Sequence, residues 1–221
     1  EMVYTVQNIV QRVEVEEKDG VVLICCHQVC APISKDWKIA YQTLYTIEKN
    51  GVVTIELNGV PTGKLPECLP RIGLRFGLDN ACQQLCWYGR GVEETYADCK
   101  EGNPFGVHRR TVEENYFPYV TPQENGNHED TRWLMVKKEN GAALCVAAEK
   151  TLGFAALPYS QEQLTKATHS AQLEKEELVS LTLDYKQMGL GSASCGPDCL
   201  EKDRLKPEPF AFSWKLFGIK E

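Results

Sequence analysis

The residues best suited to chemistry crowd into one stretch, Pro118 to Trp133. Gln123, Glu124, Asn125, Asn127, Asp130 and Arg132 supply amide and charged groups there, and Tyr119 and Trp133 supply flat faces. Such mixtures hold sugars, with hydroxyls bonded by the polar groups and the C–H face laid on a ring. The same groups can instead satisfy backbone donors in a long buried loop, where every N–H must be paired once water is excluded. That structural use is the first reading of Gln123–Arg132. No nucleophile is paired with a base in this stretch.

Acid–base hydrolysis by two carboxylates needs the groups about 5 Å apart across a cleft. Glu93-Glu94, Glu113-Glu114 and Glu176-Glu177 are sequence neighbours. On a strand, neighbours point to opposite faces, so none of these pairs is a dyad by itself. The four histidines, His27, His108, His128 and His169, are scattered, and none has a partner at a familiar ligand spacing. No nucleophile elbow, zinc-protease helix or phosphate-cradling loop is present. Gly189 to Pro197 is a small-residue loop that lets backbone approach a ligand closely. Its Cys195 lacks the basic or cationic neighbour that would activate a thiol. The chain carries no self-contained catalytic apparatus.

Ten cysteines contain no C-x-x-C pair, although Cys26/Cys30, Cys82/Cys86 and Cys195/Cys199 are spaced i, i+4. Several sit in apolar runs, where cysteine behaves as a small hydrophobe. Reduced, buried thiols are the first reading, ahead of a disulfide framework or a metal site.

The elements that must position these groups read as strands. Val21–Val29 follows an Asp19-Gly20 turn signal. Ile39–Ile47 and Val52–Leu57 flank Asn50-Gly51, which suits a type I′ hairpin turn. Leu134–Lys137 and Ala142–Ala148 flank Asn140-Gly141 in the same way, and further strands are expected at 72–78, 85–88, 178–185 and 210–217. Helix is scarce: Ser160 followed by Gln163 suggests one short capped helix over 160–169. The proline-rich 61–70 segment reads as an internal connection. These features predict one mostly-β domain over residues 1–221, an antiparallel sandwich.

With 31 acidic and 24 basic side chains the 221-residue chain carries a net charge of −7. It lacks the basic face that a nucleic-acid partner requires. No apolar run spans a membrane, and Glu1-Met2-Val3-Tyr4 begins without the basic and apolar regions of a secretion signal. With the cysteine reading, this predicts a cytoplasmic protein.

Several blocks in order carry a resemblance: Pro70-Arg71-Ile72-Gly73, Trp87–Asp98, Tyr119–Trp133 and Met188-Gly189-Leu190-Gly191. Together they resemble the C-terminal domain, also found as a small chain, of bacterial β-galactosidases of glycoside hydrolase family 2. The resemblance implies an antiparallel β-supersandwich, similar to galactose mutarotase, and here an incomplete copy of it. An incomplete sandwich leaves an unpaired edge or an exposed apolar face.

The resemblance also implies a role in hydrolysis of terminal β-D-galactosides such as lactose. The family's catalytic glutamates lie in a separate barrel, and no position of this chain matches them. Magnesium and sodium or potassium are expected in the full enzyme, and no cofactor in this segment. The implied partners are the catalytic barrel, the other domains, the galactoside and further copies in a homo-oligomer.

The loop after Met188-Gly189 is the part implied to reach the sugar, with Ser194, Cys195 and Gly196 as the substrate-binding residues. Cys195 stands where some members place a tryptophan beneath the sugar, a stacking platform of about 1 kcal/mol. Val92, Thr95 and Cys99 stand where the family usually has proline, asparagine and arginine. A free carbohydrate-binding module would instead use Trp87, Tyr119, Trp133 or Trp214. An aldose mutarotase would need an acid and a base among His108, His128 and His169.

Overall fold

The computed structural model describes residues 5–191 and 196–220. Eleven strands dominate: β1 (Val6–Lys18), β2 (Val21–Pro32), β3 (Trp37–Ile47), β4 (Val53–Gly63), β5 (Arg71–Asp79), β6 (Cys82–Arg90), β7 (Phe105–Thr111), β8 (His128–Lys138), β9 (Ala142–Leu157), β10 (Leu178–Gln187) and β11 (Phe210–Lys220). Two short helices, α1 (Val112–Asn115) and α2 (Gln161–Lys166), interrupt them. Every strand pairing is antiparallel, so the all-β expectation is met.

The strands run β1-β2-β3-β4-β11-β9-β8-β6-β7, and β10 joins through β9 and carries β5. The long β9 makes this possible. Ala142–Ala148 pairs with β11, whereas Gly153–Leu157 pairs with β10, so one strand serves two parts of the sheet. Its Glu149, Lys150 and Thr151, between the two pairings, are exposed. Val179, Leu181 and Leu183 of β10 meet Leu85, Trp87, Leu134, Val146 and Trp214 in the main core. Trp87 and Trp214 are completely enclosed, and burial of each aromatic contributes about 2–3 kcal/mol by area. Trp37, Ile39, Leu69 and Leu205 form a second, smaller core under the 64–70 connection.

The turns refine the sequence reading. At Asn50-Gly51 and Asn140-Gly141 only the glycine has positive φ, and its N–H donates to Glu48 O or Lys138 O. A type I′ turn needs positive φ at both central residues, so neither hairpin uses one. Asn50 and Asn140 instead accept from Val52 N and Ala142 N through their side chains. Asp19-Gly20, with φ of 55° and 77°, is the pair that meets the type I′ requirement.

Expected strands at 72–78, 85–88, 178–185 and 210–217 appear as β5, β6, β10 and β11. β1 and β7 were not anticipated. The helix expected over 160–169 stops at Lys166; Ser160 Oγ accepts from Gln163 N, but the Gln163 side chain turns to Glu176 and Glu174 N rather than back to the cap. A full capping box occurs at α1, where Thr111 and Glu114 satisfy each other's backbone N–H.

Cys82, Cys145 and Cys199 are buried free thiols, Cys25, Cys26, Cys30 and Cys86 are partly buried, and Cys99 is exposed.

Candidate functional site

The polar stretch folds as a hydrogen-bonded scaffold. Asn125 and Asn127 are fully enclosed. Asn125 accepts from Phe117 N and donates to Gln123 O, holding its own loop closed. Asn127 donates to Thr95 O and Glu129 Oε1, and Asn127 O accepts from Thr95 N. Thr95 Oγ1 in turn accepts from Glu129 N at 2.7 Å. Thr95 therefore serves this junction through both backbone and hydroxyl, although the family resemblance suggested asparagine there. The structural reading of Gln123–Arg132 accounts for these groups.

The acidic pairs divide as strand and loop geometry requires. Glu94 accepts from Tyr119 Oη and Gly126 N, whereas Glu93 pairs with Arg110 on the exposed side. Glu114 caps α1 and Glu113 meets Lys175. None forms a dyad.

A buried ionic group lies at the inner end of the same network. Arg71 donates to Asp184 at 2.8 Å, to Gln187 at 3.0 Å and to both oxygens of Glu124. Burial pushes the Asp184 carboxyl up to about 7, and Arg71 pulls it back only in part. Burial likewise raises Glu129, opposed by Lys100 and Asn127. Gly73 must lack a side chain, because a Cβ there would lie 2.2 Å from Asp184 Oδ1. At the edge, Asp130 sits in a bulge of β8 at φ 56° and accepts from Arg90 and Lys100. Burial opposes its ionisation, but these two cations outweigh it and hold its carboxyl below the usual range.

His128 is fully enclosed against Trp87, with ring centroids 4.3 Å apart. Asn115 uses its NH₂ on Gly126 O and Ala156 O, so its oxygen accepts from His128 Nε2 at 2.7 Å. That assigns the Nε2–H tautomer. Burial lowers the imidazole pKa to about 3, which makes it a neutral structural group.

The small-residue loop has a braced stem. Met188 N donates to Pro70 O and Gly189 N to Asp203 O. Asp98 takes Leu190 N at 3.2 Å and Gly191 N at 2.6 Å, one on each oxygen. Gly191, at φ +65°, lies so close to the returning chain that a Cβ would sit 2.6 Å from Cys199 N. On the return side Asp198 caps Cys199 N and meets Arg204, which also pairs with Glu67. The stem thus brings Gly191 close to Asp198 and Cys199. Of the expected substrate-binding residues, Gly196 is exposed, and Ser194 and Cys195 lie outside the described residues. The Asp98 brace escaped sequence reading, because a lone aspartate carries no signal of a partner more than ninety positions away.

Of the aromatic candidates, Trp87 and Trp214 are core residues with no exposed face. Trp133 stacks on Tyr88 at 6.4 Å and remains half-buried. The described residues also contain one cluster that the spacing of histidines did not suggest, Glu14, Cys25 and His27 on β1 and β2. No described helix is long and apolar enough to cross a membrane.

Residues 2–216 match the family described as beta galactosidase small chain. A β-galactosidase of Actinobacillus pleuropneumoniae is 35% identical over 188 residues, which cover 85% of this chain and 18% of that one. A β-galactosidase of Priestia megaterium is 37% identical over 147 residues, 66% of this chain and 14% of that one. The chain thus spans less than a fifth of the length of these relatives. A solved GalM/aldose epimerase homologue from C. elegans aligns with a TM-score of 0.47 and 9% identity, over 95% of this chain and 69% of that one.

Proposed function

The chain belongs to the β-galactosidase small-chain family, and from that premise we propose that it is the non-catalytic β-sandwich domain of a β-galactosidase. In this reading residues 1–221 act as one domain that buttresses the catalytic barrel. The loop at 192–196 enters the sugar pocket, where Ser194, Cys195 and Gly196 border the galactoside. The observation that carries the reading is the braced stem: Asp98 binds the successive amides of Leu190 and Gly191, and Gly191 packs on Asp198 and Cys199. A braced stem fixes where the chain leaves and rejoins the fold around this loop, which lowers the part of the ordering cost that falls on the stem itself. Most of the surrounding polar groups are bonded within the fold, with Asn127 Oδ1 and Tyr96 Oη left without a partner, which fits a positioning role better than catalysis.

Catalytic carboxylates then come from outside this segment. Acid–base cleavage needs one carboxyl protonated and one ionised about 5 Å away, whereas here Asp184 and Glu124 share the Arg71 guanidinium, Asp130 is held by Arg90 and Lys100, and Glu114 caps α1. Magnesium and sodium or potassium, implied for the full enzyme, prefer oxygen-rich sites. The three-ligand cluster of Glu14, Cys25 and His27 includes a thiol and does not suit them, so no step here runs through those ions. The partners are the barrel and other domains of the enzyme, its galactoside substrate and further copies in a homo-oligomer, in a cytoplasmic setting.

The test is hydrolysis of a chromogenic β-galactoside by this chain alone and after mixing with the upstream polypeptide. Activity in the mixture only is expected; turnover by the chain alone would overthrow the reading. The carbohydrate-module alternative is weakened by the burial of Trp87 and Trp214, and the mutarotase alternative by the buried, neutral His128.

A further inference from the structure

β1 is a long strand held on one side only, by its ladder to β2, and nearly all of its residues are exposed. Midway along this ribbon three ligand-bearing side chains converge. His27 Nε2 lies 3.5 Å from Cys25 Sγ and 3.2 Å from Glu14 Oε2, and the three ligand atoms lie within 4.8 Å of one another. We propose that Glu14, Cys25 and His27 form a binding site for a borderline-soft divalent transition ion, with zinc as the reference metal, and that the ion staples β1 to β2.

The distances favour this over an incidental hydrogen-bond cluster. Zinc bonds of about 2.3 Å to sulfur and about 2.0–2.2 Å to nitrogen and oxygen, at tetrahedral angles, separate N from S by about 3.5 Å and N from O by about 3.4 Å. Two of the three ligand–ligand spacings already stand near those values. The third closes when the Glu14 carboxylate swings toward Cys25. The donor set also discriminates: one thiolate, one imidazole and one carboxylate suit a borderline ion and not magnesium or calcium.

The backbone explains why the three groups share a face. Cys25 and His27 are two apart on β2, and so project to the same side. Across the ladder the register slips between Val10 and Arg12, where Gln11 is the extra residue. The slip sets Glu14 opposite Cys25 and Arg12 opposite His27. An unbroken register continued from Val10 and Gln28 would have placed Val13 there instead, and bulges are a recurrent means of re-aiming a side chain.

Neighbours support the ligand atoms. Gln42 Nε2 donates to Cys25 Sγ at 2.9 Å, which fixes the position of the sulfur, and Arg12 holds the other Glu14 oxygen at 2.5 Å. Glu14 and His27 are 46% and 40% exposed, so an ion has direct access and water completes its fourth position. On binding, the Cys25 proton passes to solvent, and His27 coordinates through unprotonated Nε2.

Cobalt(II) is the probe, titrated into the complete protein that carries this chain. One equivalent should produce a thiolate-to-cobalt absorption band that zinc then abolishes by displacement. Cys25→Ser should remove the band, while Cys26→Ser, altering the neighbouring thiol on the opposite face, should keep it. His27→Gln and Glu14→Gln should each weaken zinc binding at least tenfold. Zinc should also slow amide exchange along β1 in the parent and not in Cys25→Ser. Absence of the band, its survival in Cys25→Ser, or β1 exchange unaffected by zinc would each overturn the proposal. Hydrolysis of galactosides is a separate readout, so the proposed enzymatic role can fail without touching this one.

Discussion

Asp184 and His128 are both enclosed, and their titrations act on stability with opposite sign. The imidazole pKa falls from 6.5 to about 3 on burial. As pH drops below 6.5 the unfolded chain gains a proton that the folded one refuses, so this contribution is lost on acidification. The Asp184 carboxyl rises from 3.8 to about 7. As pH climbs from 3.8 the unfolded chain releases a proton that the folded one keeps, and this contribution is gone above about 7. Between 3.8 and 6.5 the two slopes oppose, each about 1.4 kcal/mol per pH unit at full effect. His128→Gln should therefore lessen the loss of stability from pH 6.5 to 4.5, and Asp184→Asn the loss from pH 5 to 7.5. Urea midpoints across the range check both, and slopes equal to the parent's would refute the assignment. Arg71→Met should cost about 3–5 kcal/mol in the same assay at pH 8, because Asp184 and Glu124 would be left without their shared cation.

At the scale of elements, α1 is a single turn made viable by its cap. Its Val112 and Asn115 are buried, and Asn115 fixes the His128 tautomer, so the cap acts on the polar network as well as on the turn. Thr111→Ala should cost about 1 kcal/mol by chemical denaturation; no change would mean that packing alone holds the turn. The loop stem makes the opposite kind of prediction. Asp98 is exposed, so Asp98→Ala should leave the unfolding midpoint nearly unchanged. Its loss frees Leu190 and Gly191, and the complete enzyme should lose on the order of tenfold in kcat/KM as the loop tip strays from the pocket. Unaltered kinetics would remove the loop from the proposed mechanism.

For the whole molecule, the exposed apolar surface is the decisive feature. Ile9, Val13 and Val15 of β1 are 53%, 53% and 67% exposed, and Phe105 and Val107 of β7 are 44% and 51% exposed. Both strands lie at ends of the sheet path, where unpaired N–H and C=O groups add to the apolar surface. The isolated chain should therefore self-associate in sedimentation, and Val13→Lys with Val15→Lys should shift it toward the monomer. A monomeric parent would show that the ribbon is tolerated by water alone.

The order of types along the chain determined much of this by itself. Runs of β-branched and apolar residues punctuated by glycine turns gave nine of the strands, because period-two burial is a local pattern. Blocks such as Trp87–Asp98 carried the family, because a chain's identity resides in its order. The alternation Val13-Glu14-Val15-Glu16 in β1 has the period of a strand and was legible in the sequence; only the structure shows that these valines face no core. The capping pattern Thr111–Glu114 was legible and was passed over.

Tertiary structure alone decided the rest. Trp87 and Trp133 are the same type, yet one is enclosed by the core and the other stacks near the surface, which depends on what the sheet brings opposite each. Cys25 and His27 offered a same-face pair on a predicted strand, but their third partner, Glu14, arrives only through the register slip at Gln11. The bond from Asp98 to Gly191 joins residues 93 positions apart. Side-chain chemistry and its period are written in the sequence, but which distant groups meet is set by pairing and packing, where burial converts ordinary carboxylates and imidazoles into coupled, shifted ones.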